Sequence, residues 1–134
     1  MLSPVLATVI ALCGGVALFA IQPLILQLSC ALVGQKVPNL LSAAGMVIAA
    51  FVASLAVGFG WSFTGGWVLA QVSPALAGLA SLVVSMGVAS VVYSATMRIA
   101  LAKAFGVAAV THIIGLVFAG GFTLFLRSLW AVVG

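Results

Sequence analysis

The sequence predicts an all-α integral membrane protein: a four-transmembrane-helix bundle with short loops, forming one domain over residues 1–134. Three observations lead there. Apolar residues make up 66% of the chain and charged residues 3%, against about 25% charged in soluble domains. Four apolar runs reach the roughly 20 residues a helix needs to cross a hydrocarbon layer. No aspartate or glutamate occurs anywhere, so the four basic residues have no carboxylate of their own to pair with.

Span 1 runs over about residues 5–33. Its opening, MLSPVLATVIALCGG, has no basic segment ahead of the apolar stretch, so it reads as a span and not as a cleavable signal peptide. Pro23 in AIQPLIL interrupts the helix register, and the run is longer than one crossing requires, which predicts a kink, a tilt or an interfacial extension. Cys13 and Cys30 both lie on this span, roughly 25 Å apart along a continuous helix. That is far beyond the roughly 7 Å between α-carbons that a disulfide allows, so both read as small packing residues.

GQKVPN, residues 34–39, is the first turn. Gly34 suits a helix end, and Pro38 and Asn39 suit the start of the next helix. Span 2 follows over about 40–58. GFGWSFTGGW, residues 58–67, interleaves four glycines with aromatics and predicts a loop at the membrane interface. Span 3 is expected as a long helix over about 67–97 with Pro74 in its first turns; a short re-entrant piece before Pro74 is the alternative, allowed where protein or water shields the backbone. ATMRIALAKAF, residues 95–105, makes the second basic connection, and span 4 covers about 107–126 before the tail RSLWAVVG.

Four spans bring Lys36, Arg98 and Lys103 to one side of the membrane. Lys and Arg accumulate on the cytoplasmic side, which predicts cytoplasmic connections and outer termini in a bacterial inner membrane, with Arg127 as the one dissenting charge. Trp61, Trp67 and Trp130 fall on the opposite face, where amphipathic rings suit the headgroup layer, and Tyr93 lies near the inner boundary. Lys36, Arg98, Lys103 and Arg127 are isolated cations expected to snorkel to lipid headgroups. Nucleic-acid binding needs a clustered basic face and is not expected.

The 1–2 and 3–4 hairpins share one plan: helix, short basic connection, helix. LLSAAGMVIAA can be set against LAKAFGVAAVT at an offset of about 60 residues, which raises a tandem pair of hairpins, although matches among such common residues weigh little.

Helices in lipid associate through close packing of small residues. Span 2 offers Gly45, Ala49 and Ala53 at four-residue spacing, and span 3 offers Ala77, Ser81, Ser85 and Ala89. These stripes are expected either to pack against each other or to give one of them to another subunit.

Missing carboxylates exclude several functions. Proton- and cation-coupled transport usually relies on a membrane-embedded Asp or Glu, so the glutamate of small multidrug transporters and the carboxylate of rotary-ring proteolipids have no counterpart. Fluoride channels of similar size resemble the chain in span count only. Carboxylate dyads, divalent-ion cages and Ser/His/Asp triads are likewise excluded, and no enzymatic role is expected. His112 in AVTHIIG is the only histidine. An interhelical hydrogen bond is the expected role, with a single haem or metal ligand shared with another subunit as the sharper alternative. Gln22, Gln27 and Ser29 are expected at the inner boundary of span 1. Thr111, Ser81 and Ser85 can bond back to their own helices.

These residues lead to a non-catalytic small membrane subunit or scaffold that packs within a larger assembly. It is expected to contact lipid and to associate with other subunits or with itself, with no cofactor implied. The alternative is a homo-oligomeric pore, holin-like or passive, for anions or neutral solutes.

Overall fold

A computed structural model describes residues 3–133. The described residues form helices and no strands: α1 (Pro4–Ala20), α2 (Gln22–Leu32), α3 (Leu40–Trp61), a π-helical turn (Ser62–Gly66), α4 (Trp67–Val72), α5 (Pro74–Met97) and α6 (Leu101–Val133). Joined end to end they give four helices long and apolar enough to cross a membrane: Val5–Leu32, Leu40–Val72, Pro74–Met97 and Leu101–Ala131. The fold is the expected all-α four-helix bundle.

Span 1 breaks where its proline predicts. Pro23 has no N–H, and its ring crowds the carbonyl one turn earlier. The helix accordingly stops at Ala20 and restarts at Gln22. Both ends of the first connection also follow their residues. Gly34 adopts φ +74, which lets the Gln35 N–H reach the Cys30 carbonyl (2.8 Å) and the Gly34 N–H reach that of Ala31 (3.1 Å), closing the helix end in a left-handed cap. Asn39 then starts α3, its Oδ1 accepting from the Ser42 N–H at 2.7 Å.

The second half of span 2 departs from expectation. Residues 58–67 are not a loop: α3 passes through the π turn into α4 and ends at Val72. Glycine weakens helices in water, but in lipid every backbone group must find its partner within the helix. The glycines here make room instead of a turn. A Cβ on Gly66 would lie 2.5 Å and 2.6 Å from Trp61 ring atoms, so the indole is folded onto the helix over Gly65 and Gly66. Phe59 and Phe63 pair edge to face at 4.8 Å, and the hydroxyls of Ser62 and Thr64 bond back to Gly58 and Gly60 carbonyls. The reversal falls at Ser73-Pro74, because a residue before proline is driven to extended backbone. Ser73 has φ −154 and ψ 105 and caps α5 through its Oγ. Span 3 therefore begins at Pro74 and not at 67, and no re-entrant piece precedes it. Span 4 is longer than expected, beginning at Leu101, so Lys103 lies in its first turn. Trp61 and Trp67 still lie far from the basic connections, on a helix.

The second connection is three residues long, Arg98 to Ala100. Arg98 takes φ 53 and ψ 45, a left-handed conformation costing a non-glycine residue about 1 kcal/mol. Ser94 Oγ donates to the Ile99 carbonyl at 2.7 Å and holds the turn closed. The first connection has a counterpart: Gln27 Nε2 donates to the Pro38 carbonyl at 2.9 Å. Ile99 and Pro38 each lie two residues before the next helix.

This correspondence extends into the core. Buried positions on α3 are Ala43, Met46, Val47 and Ala50; on α6 they are Ala104, Val107, Ala108 and Thr111, every pair separated by the same interval. Ile25, Leu26 and Ser29 on α2 match Ala89, Ser90 and Tyr93 on α5 by a second constant interval, the difference reflecting the shorter connection. Each hairpin packs on the other, α2 against α6 and α3 against α5. The hairpin plan seen in the sequence thus recurs as a common packing pattern, of the parallel-repeat kind.

All of these buried residues lie toward the end that carries the basic connections. Beyond them the packing thins. In that part α1 touches α6, with the Phe122 ring seated on Gly14, and α4 packs on α5.

Candidate functional site

Between the packed end and the thinner end lies a half-open cavity of about 420 Å³, with Phe19, Phe51 and Leu116 on its exposed rim. Every span brings a polar side chain to it: Gln22 from span 1, Ser54 from span 2, Ser85 and Tyr93 from span 3, Thr111 and His112 from span 4. In a chain this apolar, that convergence singles out the site. Kinking at Pro23 places Gln22 at the start of α2. Gly115 lies beside it: a Cβ there would stand 3.7 Å from the Gln22 amide nitrogen, an ordinary van der Waals contact. Phe19 and Phe51 meet edge to face at 5.3 Å beside the cavity, joining span 1 to span 2.

Hydrogen bonding divides the six polar groups into two sets. Thr111 Oγ1 donates to the Val107 carbonyl at 2.7 Å and is satisfied within its helix. His112 uses both ring nitrogens, with Nδ1 2.8 Å from the Ala108 carbonyl and Nε2 3.1 Å from Ser85 Oγ. A carbonyl oxygen only accepts, so neutral His112 carries its proton on Nδ1, and Nε2 accepts from the Ser85 hydroxyl. This Ser85–His112 bond ties span 3 to span 4.

Gln22, Ser54 and Tyr93 form the second set: their side chains make no hydrogen bond among the described residues. Tyr93 is 3% exposed. No sealed side-chain nitrogen or oxygen lacks a partner among the described residues. The Tyr93 hydroxyl is therefore the part of that residue the cavity leaves open.

The residues expected to act by packing are distributed differently. On span 2 Gly45 and Ala49 face outward and Ala53 is half-buried, and a Cβ on Gly45 would meet nothing within 4 Å. Ala43, Met46, Val47 and Ala50 do the packing instead, one step round the helix. Four-residue spacing of small residues marks a stripe but not the direction it faces, and Met and Val on the true packing face hid it. On span 3 the stripe points inward in part: Ala89 is buried, Ser85 and Ala77 are half-buried, and Ser81 is exposed.

Among the other singled-out residues, Ser29 is buried and bonds to the Ile25 carbonyl at 2.7 Å, so it belongs to the core and not to a boundary patch. Cys30 is buried and Cys13 exposed, both as free thiols. Lys36, Arg98, Lys103 and Arg127 are all exposed, the first three at one end of the bundle. A haem or metal ligand at His112 would have to displace Ser85 from Nε2. Among the described residues no group of three His, Cys, Asp or Glu side chains comes together. Gln22, Ser54 and Tyr93 as one site escaped the sequence reading; each is a polar residue in an apolar run, but nothing in their spacing links them.

No family model, curated protein or solved structure matches the chain.

Proposed function

We propose that the chain is a non-catalytic small membrane subunit that packs within a larger membrane protein assembly. The observation that carries this reading is the confinement of tight packing to one end of the bundle. Between 6% and 22% of the most apolar window of each span is buried within the chain. Since lipid is as apolar as leucine, helices need close side-chain packing to stay together, and further helices from another subunit supply what this chain lacks. The outward-facing Gly45 and Ala49 give such a helix a surface it can approach closely. Native mass measurement of the particle extracted into lipid nanodiscs tests the proposal: foreign subunits at fixed stoichiometry are expected.

The pore reading has less support. Exposed hydroxyls at Ser62, Thr64, Thr96, Thr123 and Ser128 bond back to carbonyls of their own helix. Three free polar groups, Gln22, Ser54 and Tyr93, line a cavity within one chain, and Ser81 is the exposed mid-span hydroxyl of α5 with no side-chain hydrogen bond among the described residues.

For orientation, we propose cytoplasmic connections and outer termini in a bacterial inner membrane; the three basic residues at one end support this reading, since Lys and Arg accumulate on the cytoplasmic side. A cysteine at Lys36 in a Cys13→Ser, Cys30→Ser background is expected to react with a membrane-impermeant maleimide only after the cells are opened. Labelling of intact cells would reverse the orientation.

A further inference from the structure

We propose that the half-open cavity between the spans is a binding site for a neutral, ring-sized lipophile carrying carbonyl or hydroxyl oxygens, of the quinone and phenol class. Such a site lies within one chain and does not depend on which subunits surround it.

Charge is the first constraint. None of the cavity-lining residues is a lysine or arginine, and the chain has no carboxylate. An anion would find no cation there and a cation no anion, each in a medium where an unpaired charge is very costly. The occupant is neutral.

Size and shape give the second. About 420 Å³ falls within the range of small-molecule sites, roughly 300–1,000 Å³. Phe19, Phe51, Leu82 and Leu116 supply aromatic and aliphatic walls suited to a ring. A sugar, with hydroxyls on all sides, would leave most of them facing apolar surface.

Free hydrogen-bonding groups give the third. Tyr93 is almost wholly buried and lines the cavity, and neither it nor Gln22 nor Ser54, on two other spans, has a side-chain hydrogen-bond partner among the described residues. An acyl chain would leave all three unsatisfied in water-poor, membrane-facing surroundings, which is unfavourable for each. A ring with oxygens at its edge satisfies them: Tyr93 and Ser54 donate through their hydroxyls and Gln22 through its amide, and the same groups accept from a phenolic hydroxyl. The Ser85–His112 pair is already satisfied and serves to fix the wall.

The test is titration of the full chain in nanodiscs with a decyl-substituted benzoquinone, followed by ligand-observed NMR, with decylbenzene as the oxygen-free control. Saturable binding at least tenfold tighter than decylbenzene is expected. Tyr93→Phe keeps the ring and breaks no existing bond, as does Ser54→Ala, so both variants should fold. Each is expected to weaken the benzoquinone about fivefold, the scale of one lost neutral hydrogen bond, without changing decylbenzene. Equal binding of the two probes would make the cavity a hydrocarbon site and overturn the proposal. So would benzoquinone binding indifferent to both substitutions, or none at all.

Discussion

Leu26→Ala is expected to destabilise the bundle by about 2 kcal/mol, whereas Leu24→Ala, two residues away, is expected to change it by less than about 0.5 kcal/mol. Leu26 is fully buried where α2 meets the core, and Leu24 is 55% exposed. The usual Leu→Ala cost has two parts, lost transfer from water and the void left behind. Only the second operates when the separated helices remain in lipid, because leucine then loses no apolar surroundings. A void of about 80 Å³ at about 24 cal/mol per Å³ gives the figure. Unfolding in mixed micelles against rising denaturing detergent reads the difference directly. Equal loss at both positions would show that the packed end is not where the bundle is held together.

Gly45→Leu is expected to leave the chain's own fold intact and to reduce its association with partner subunits at least tenfold. Nothing lies within 4 Å of a Cβ built on Gly45, so the larger side chain meets no obstacle inside the chain. It would, however, stand across the surface a partner helix needs for close approach. Ala43→Leu provides the contrast: Ala43 is fully buried, and overpacking there disturbs the fold itself, by about 1–3 kcal/mol. Co-purification measured beside detergent stability separates the two. Retained association in the Gly45 variant would remove the stripe from the interface.

The fold was largely legible because its strongest signals are local. Span length comes from hydropathy, the break near Pro23 from a missing N–H, and the first turn from Gly34 and Asn39. The stretch at residues 58–67 misled for a physical reason. Glycines followed by aromatics signal a loop in water, but in lipid they allow a helix to fold an indole onto itself. Which face of span 2 turns inward was also not legible, since the small-residue stripe at Gly45 and Ala49 and the packing face at Ala43, Met46, Val47 and Ala50 lie one step apart on the same helix. His112 bonds across helices to Ser85, a serine whose sequence context suggested a bond back to its own helix. The cavity could not be read from the sequence, because Gln22, Ser54 and Tyr93 come together only through the kink at Pro23 and the packing of all four spans.

The repeat was hinted at by the shared hairpin plan and is much clearer in burial than in residue identity. Two alanines, Ala43 and Ala104, hold equivalent buried positions, but so do Ala50 and Thr111. Packing constrains which face turns inward more strongly than which side chain fills it.

The most direct test of the account is the intact mass of the particle carried from native membranes into nanodiscs without detergent exchange. A subunit of a larger assembly gives a mass above that of the chain and its own copies, with foreign subunits at a fixed ratio. A stable particle containing one copy of the chain and lipid alone would contradict it.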